Sequence, residues 1–326
     1  MHNYKFVVIN SNANYYNFFS ENCNNYVVYI NSMNKFKKII FQLHNSCKFN
    51  KKRSLPFRKI WKKRIINKKI MSKLNENDYV CFVFSVYGDY PIKTGLIEYL
   101  RKKFTNSKFI FSFRDLISLY ENNCNDFFSR YKNYIDVFTT YNVNDSKKYN
   151  IVLTPPKLID FCYIPQKRID NDVFFVGKNK NRIYEIQEIY DLLNSKGYKL
   201  KFYVTDVPKN CIRKHDKIKY NKKISYKKVL KNISSSKCIL NLMQPDCKGI
   251  TLRDNEAIFF NKIIITNNSL IKKMDFYTED KVILLKNLKE ECYKIDNYTQ
   301  TIGWKQPKDC TLDKYYEFIN NKLNEL

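Results

Sequence analysis

The chain has 326 residues, enough for about two domains. Its 44% hydrophobic content is that of a globular protein, so wholesale disorder is excluded, and only six glycines rule out collagen-like sequence and glycine-rich linkers. Lysine and arginine number 59 against 31 acids, a net charge of +28. That excess argues for polyanionic company: nucleic acid, anionic lipid or phosphorylated substrates. A text rich in Lys, Asn, Ile and Tyr, as in proteins of AT-rich genomes, shares the credit for it.

Short apolar runs open the chain. Phe6–Ile9 and Val27–Ile30 read as buried strands. Segment 51–73 then carries eleven Lys and Arg and no acid. Phe57, Trp61, Ile65, Ile66 and Ile70 fall at helical spacing within it, an apolar stripe on a cationic helix. Such a helix packs its stripe on a sheet with its lysines solvated, or docks on an anionic membrane surface. Strands follow at 80–84, 109–111 and 137–138, with helix-length segments at 92–104 and 115–132. Strand alternating with helix predicts a parallel sheet covered on both faces.

Pro155-Pro156 interrupts the pattern, which restarts at Asp172. Strand 173–176, helix 181–195, strand 200–204 and helix 225–235 come first. Strand 239–242, helix 251–260, strand 263–265 and a final helix over 312–326 complete the set. This divides the chain into Rossmann-like halves, 1–165 and 166–326, hinged near 155–170. The ten cysteines form no CxxC pair and only three histidines exist, so a structural zinc site is not expected. Several of the cysteines sit in apolar runs, which suits a reducing cytoplasm. No stretch approaches the ~18 apolar residues of a membrane span, and no cleavable signal opens the chain.

Ligands of doubly wound sheets bind beyond the carboxyl ends of the strands. Two loops there hold glycine, hydroxyls and cations. In Val176-Gly177-Lys178-Asn179-Lys180-Asn181-Arg182 a strand runs into a glycine and a cationic loop. Gly177 would permit a turn and close backbone approach, and Lys178 and Arg182 would neutralise a diphosphate. In Gly249-Ile250-Thr251-Leu252-Arg253-Asp254-Asn255-Glu256, Thr251 and Asp254 have capping-box spacing. The helix N-terminus so formed is an anion site, with Gly249 giving access, Arg253 adding charge and Glu256 able to accept from sugar hydroxyls. An ordinary turn and an ordinarily capped helix are the bland alternatives.

These loops, with Val173–Val176, Ile224-Ser225-Tyr226, Ile239–Gln244, Lys262–Asn268 and Asp275-Phe276-Tyr277, resemble the nucleotide-sugar-binding half of GT-B glycosyltransferases. The likeness is to the small enzymes of bacterial capsule and lipopolysaccharide synthesis and runs over residues 172–285. It implies two Rossmann-like, doubly wound parallel-sheet domains facing across a cleft, an acceptor domain followed by a donor domain. By position, Gly177 and Arg182 would face the donor diphosphate; Gly249, Thr251 and Leu252 would give it backbone contacts; Glu256 would hold the ribose. The sequence departs from the pattern at Lys248, where many members carry an acid eight residues before the counterpart of Glu256.

The implied reaction is sugar transfer from a nucleotide-sugar to a surface-polysaccharide acceptor, lipid-linked at the inner face of the plasma membrane. Cations and a helix N-terminus can stabilise the leaving diphosphate without a metal, and no cofactor is called for. An inverting enzyme needs a base from the first half, and Asp89 and Asp115, each just past a strand, are the candidates. Either would serve equally as a helix cap. Nucleic-acid binding is the competing reading, against which stand scattered cations and no recognition motif. A catalytically inactive homologue acting as an assembly partner is the third.

Overall fold

The computed structural model describes residues 1–10, 26–30, 35–45, 57–65, 71–86, 89–123, 126–158 and 168–326. They divide into two units, residues 1–155 with 312–326, and residues 156–311.

The first unit is built on six parallel strands: β1 (Lys5–Asn10), β2 (Tyr26–Ile30), β3 (Val80–Ser85), β4 (Ser107–Phe113), β5 (Val137–Thr140) and β6 (Val152–Leu153). Their spatial order is β2-β1-β3-β4-β5-β6, a doubly wound sheet whose order reverses between β1 and β3. Alternation along the strands makes two cores. Val7, Ile9, Phe82, Phe84, Phe109 and Phe111 face one side. Phe6, Val8, Cys81, Val83 and Ile110 face the other. Both faces are covered, as all-parallel sheets require.

Helices α1 (Lys35–Asn45), α2 (Tyr90–Lys93), α3 (Leu96–Lys103), α4 (Ile117–Asn123), α5 (Phe127–Tyr131) and α6 (Val143–Tyr149) belong to this unit. The single helix expected over 92–104 is broken by Gly95, which has φ 68° and starts a second helix. The helix expected over 115–132 is likewise split into α4 and α5. Among the described residues of the cationic segment, Arg58–Lys63 form a 3-10 turn. Trp61 and Ile65 enter the core, whereas Phe57 and Ile60 are exposed. Residues 51–56 and 66–70 of that segment lie outside the described residues, as do Tyr87 and Gly88.

The second unit repeats the design. Strands β7 (Asn171–Lys178), β8 (Leu200–Thr205), β9 (Lys219–Tyr220), β10 (Ser236–Asn241), β11 (Ile263–Thr266) and β12 (Val282–Leu284) form another parallel sheet. Its order is β12-β11-β10-β7-β8-β9, the Rossmann order, reversing between β7 and β10. Helices α7 (Ile183–Ser195), α8 (Tyr226–Ser234) and α9 (Leu252–Phe259) connect the strands. The two Rossmann-like, doubly wound units expected of a GT-B chain are thus present.

The last helix, α10 (Leu312–Asn324), corrects the expected boundary. Placed with the second half on sequence order, it instead covers a face of the first sheet. Its stripe of Tyr315, Tyr316, Ile319 and Leu323 packs with Tyr4, Phe6 and Val8. Asn320 Oδ1 accepts from the amide of Tyr4 at 2.9 Å, and Asn324 Oδ1 from that of His2 at 2.7 Å. The apolar stripe was visible in the sequence; the sheet it covers was not.

Candidate functional site

The second unit gathers its polar groups where its strand order reverses. β7 ends at Lys178 and the chain turns through Lys180 and Asn181, at φ 46° and 61°. The turn expected at Gly177 is therefore three residues late. Gly177 lies inside β7 opposite Val204 and leaves room for a neighbouring ring, since a Cβ there would stand 3.0 Å from Cζ of Phe175. Lys178 is exposed and pairs with Asp206 at 3.1 Å.

Arg182 precedes α7 and folds back over the strand ends. Its guanidinium donates to the carbonyl of Leu242, just past β10, and to those of Lys178 (3.1 Å) and Asn179 (3.3 Å). One cation thus ties β7 to β10 across the reversal. Burial pulls its pKa below the usual arginine value. Three carbonyl oxygens hold three of its five N–H hydrogens, so it reaches a diphosphate with its positive field and its remaining N–H groups.

Beyond β10 a loop runs to α9. Thr251 caps that helix with a full capping box: its hydroxyl accepts from the amides of Arg253 and Asp254, and Asp254 accepts from the amide of Thr251 at 2.7 Å. Asn241, the last residue of β10, donates to Asp254 at 2.8 Å and to Thr251 Oγ1 at 3.1 Å. Asn268 donates to the carbonyl of Gly249 at 2.9 Å, and Asn267 exchanges two bonds with the backbone of Met243. These asparagines shape the loop, and no role fell to them from sequence. Their signal was the position of Asn241 at a strand end and of Asn267-Asn268 just past the next. The cap occupies the amides of Arg253 and Asp254, so Leu252 supplies the first-turn N–H that the cap leaves untouched.

Glu256, one turn on, is fully buried. The Tyr226 hydroxyl, from the first residue of α8, donates to its Oε1 at 2.7 Å, and Arg253 pairs with its Oε2. Burial raises its pKa, against the pull of these two partners. The ribose contact implied for Glu256 thus requires Arg253 to swing aside. Tyr226 stands in the resembling sequence, but its partner was not foreseen. Lys248 is exposed.

In the first unit Asp89 follows β3 and is 2% exposed. Its side chain does not cap α2. The carboxylate pairs with Lys93 at 2.7 Å and Arg130 at 3.1 Å, and both cations compete for the lone pairs a base would offer. Asp115 follows β4 and is half-buried. The first amide of α4, on Ile117, is taken by Asp145 of α6 at 3.0 Å, not by Asp115. The structure therefore places both acids at the carboxyl end of their sheet, on adjacent strands. Among the described residues no group of three or more His, Cys, Asp or Glu is disposed to hold a metal ion. No described helix is long and apolar enough to cross a membrane.

No protein-family model matches the chain, and no curated protein matches it. Distant likenesses among solved structures are an alpha-glucosyltransferase in complex with UDP and a 13-mer DNA containing an HMU base, a UDP-GlcNAc 2-epimerase from Methanocaldococcus jannaschii, and a UDP-forming α,α-trehalose-phosphate synthase from Burkholderia vietnamiensis. The first is 12% identical, covering 77% of this chain and 78% of that chain, at a TM-score of 0.44. The second is 14% identical over 98% and 99%, at 0.45. The third is 8% identical over 82% and 78%, at 0.43.

Proposed function

We propose that this chain is a glycosyltransferase, taking a sugar from a nucleotide-sugar donor to a glycan of a surface polysaccharide, capsule or lipopolysaccharide, on a lipid carrier. The observation that carries the reading is the switch point of the second sheet. There the strand order reverses, Arg182 bridges the two strands at the reversal, and α9 starts beside them. Doubly wound sheets bind phosphorylated ligands at this place, and a half-buried cation with a helix N-terminus favours a diphosphate over a neutral ligand.

In the reaction the bond from the anomeric carbon to the diphosphate oxygen breaks and a bond to an acceptor oxygen forms. The leaving oxygen gains negative charge, which Arg182 and the start of α9 stabilise without reorganising. The acceptor hydroxyl loses its proton to a base or to the departing phosphate. Asp89 and Asp115 are the candidates for that base, and the Asp89 carboxylate would have to release a cation to act as one. Glu256 holds the ribose once Arg253 has moved off it. The acceptor side of the proposal rests on the resemblance of residues 172–285 to polysaccharide-locus enzymes.

A thermal-shift panel of UDP, GDP, CMP, ADP and their sugar conjugates tests the donor site. Ligand at 100 times its Kd adds roughly 2.7 kcal/mol to stability. We expect one nucleotide class to raise Tm, and Glu256→Gln to weaken its effect while the free protein still melts cooperatively. A folded sample that responds to no nucleotide sinks the proposal.

A further inference from the structure

A second surface, in the first unit, has a different chemistry. Helix α1 was not foreseen from sequence, and it turns apolar side chains outward. Phe36, Ile39 and Leu43 are 72%, 56% and 42% exposed and recur at the i, i+3, i+7 spacing of one helical face. The flank of that face holds the fold: Ile40 and Phe41 pack against the core, and His44 Nδ1 accepts from Trp61 Nε1 at 2.8 Å. The ring of Phe41 also meets that of Trp61 edge-on, at 5.3 Å between centroids. This joins α1 to the 3-10 turn at Arg58–Lys63, where Phe57 and Ile60 are 72% and 47% exposed. Five of the thirteen large apolar side chains exposed among the described residues come from these two short, mutually packed segments. Single exposed apolar residues need no explanation, but a concentration of this kind does.

The charge of the sequence that carries them is of one sign. From residue 22 to residue 75 the sequence holds fifteen Lys and Arg and not one Asp or Glu. Lys59, Lys63 and Arg64 are exposed beside Ile60. We propose that the outward face of α1 together with Phe57 and Ile60 is a membrane-docking surface, which seats its apolar side chains among the acyl chains of an anionic bilayer while the surrounding cations meet the lipid phosphates. The pairing of outward aliphatic side chains with a cationic rim is the chemistry of an interfacial element. A second copy of the chain suits the surface poorly, because two such faces would bring thirty cations together. Nucleic acid would use the cations but has no hydrocarbon to receive Ile39 and Leu43. The inference goes beyond the proposed reaction and does not depend on it.

The test is co-sedimentation of the full chain with vesicles of phosphatidylcholine alone and of phosphatidylcholine with phosphatidylglycerol. Binding is expected to the anionic vesicles only. The triple variant Phe36→Ser, Ile39→Ser, Leu43→Ser should bind them at least tenfold more weakly, as should Lys59→Ala with Lys63→Ala. Both variants change exposed side chains, so their melting curves and nucleotide response should match those of the parent. No binding to anionic vesicles by the folded chain overturns the proposal, and so does equal binding by the triple variant. Displacement of the vesicles by a short duplex, with duplex binding itself weakened by the triple variant, would give the surface to nucleic acid. A dimer that the triple variant dissolves would give it to a second copy. Either result also overturns it.

Discussion

The two sheets place opposite charges beside their reversals. Past β3, beside the reversal of the first sheet, stands an acid, Asp89, clamped by Lys93 and Arg130. Past β7, beside the reversal of the second, stands a cation, Arg182, clamped by carbonyl oxygens. Side-chain caps differ in part as well, although Arg182, Thr278 and Asn287 of the second unit make none. Asp89, Asp126 and Asn142 precede helices of the first unit without a side-chain capping bond. Ser225, Thr251 and Asn268 all make one in the second. The second crevice has a positive field and a fixed loop, suited to an anion of constant shape. The first has its acid neutralised and its helix starts held by other means, which suits a partner brought to it rather than a phosphate.

The largest test of this contrast is self-sufficiency. The first sheet borrows α10 from the far end of the chain, whereas the second unit is continuous in sequence. Ending the chain at Thr311 would expose the face that Tyr315, Tyr316, Ile319 and Leu323 cover. Burying such side chains is worth about 1.5–3 kcal/mol each, so the loss is roughly 6–12 kcal/mol as an upper bound. That rivals the whole stability of a domain. Calorimetry of the truncated chain should lose the transition of the first unit and keep that of the second. Two intact transitions would show that the first sheet does not need the helix.

Buried charge gives the next contrast. Asp89 is buried with two cations, and Lys294 of the second unit pairs with Glu291, but the buried Lys262 and Lys281 have no acid partner among the described ion pairs. Lys262 is fully buried, with Nζ 3.2 Å from the Tyr298 hydroxyl and 5.5 Å from the centre of that ring. Lys281 lies over the same ring at 5.1 Å. Burial, and then the neighbouring Lys281, push the Lys262 pKa down to about 8. Between that value and the unfolded value near 10.5, the unfolded chain holds a proton that the folded chain has lost. Stability from this group therefore rises with pH across that window, by roughly 3 kcal/mol. Buried cysteines such as Cys292, whose thiol is pushed up by burial, act in the opposite direction above pH 9. The effect is thus read as parent minus Lys262→Met in urea melts from pH 7.5 to 10.5. Parallel stability curves for the two proteins would show that Lys262 keeps an ordinary pKa.

Much of this architecture was legible in the sequence because buried parallel strands write themselves as short apolar runs. Phe6–Ile9, Val80–Phe84, Val173–Val176 and Ile263–Ile265 are all strands in the structure. The edge strands β6, β9 and β12 were missed, being two or three residues long and held by one neighbour each. The capping box at Thr251 was legible because its chemistry is local, three residues from donor to acceptor. The distant partners of Arg182, Glu256 and Asp89 were not. Beside local partners three or four residues away, each is held by a residue 30 to 60 positions off, Leu242, Tyr226 and Arg130, and no spacing rule reaches that far. The turn misplaced at Gly177 has the same cause: a glycine can serve a turn or make room for a ring, and only the fold decides which.

The smallest effect separates the scaffold of the second crevice from its ligand contacts. Thr251→Ala removes a cap worth about 1 kcal/mol and strips Asn241 and Asp254 of a shared partner. Thr251→Ser keeps the hydroxyl and should restore nearly all of that stability. If the loop is fixed for the sake of an anion, the alanine variant should lose nucleotide response in larger proportion than stability, since the amide of Leu252 is aimed only while the cap holds. A nucleotide response that survives Thr251→Ala unchanged, in a protein measurably destabilised, would make the capping box a stability device alone and leave Arg182 as the sole reason for placing an anion in the second sheet.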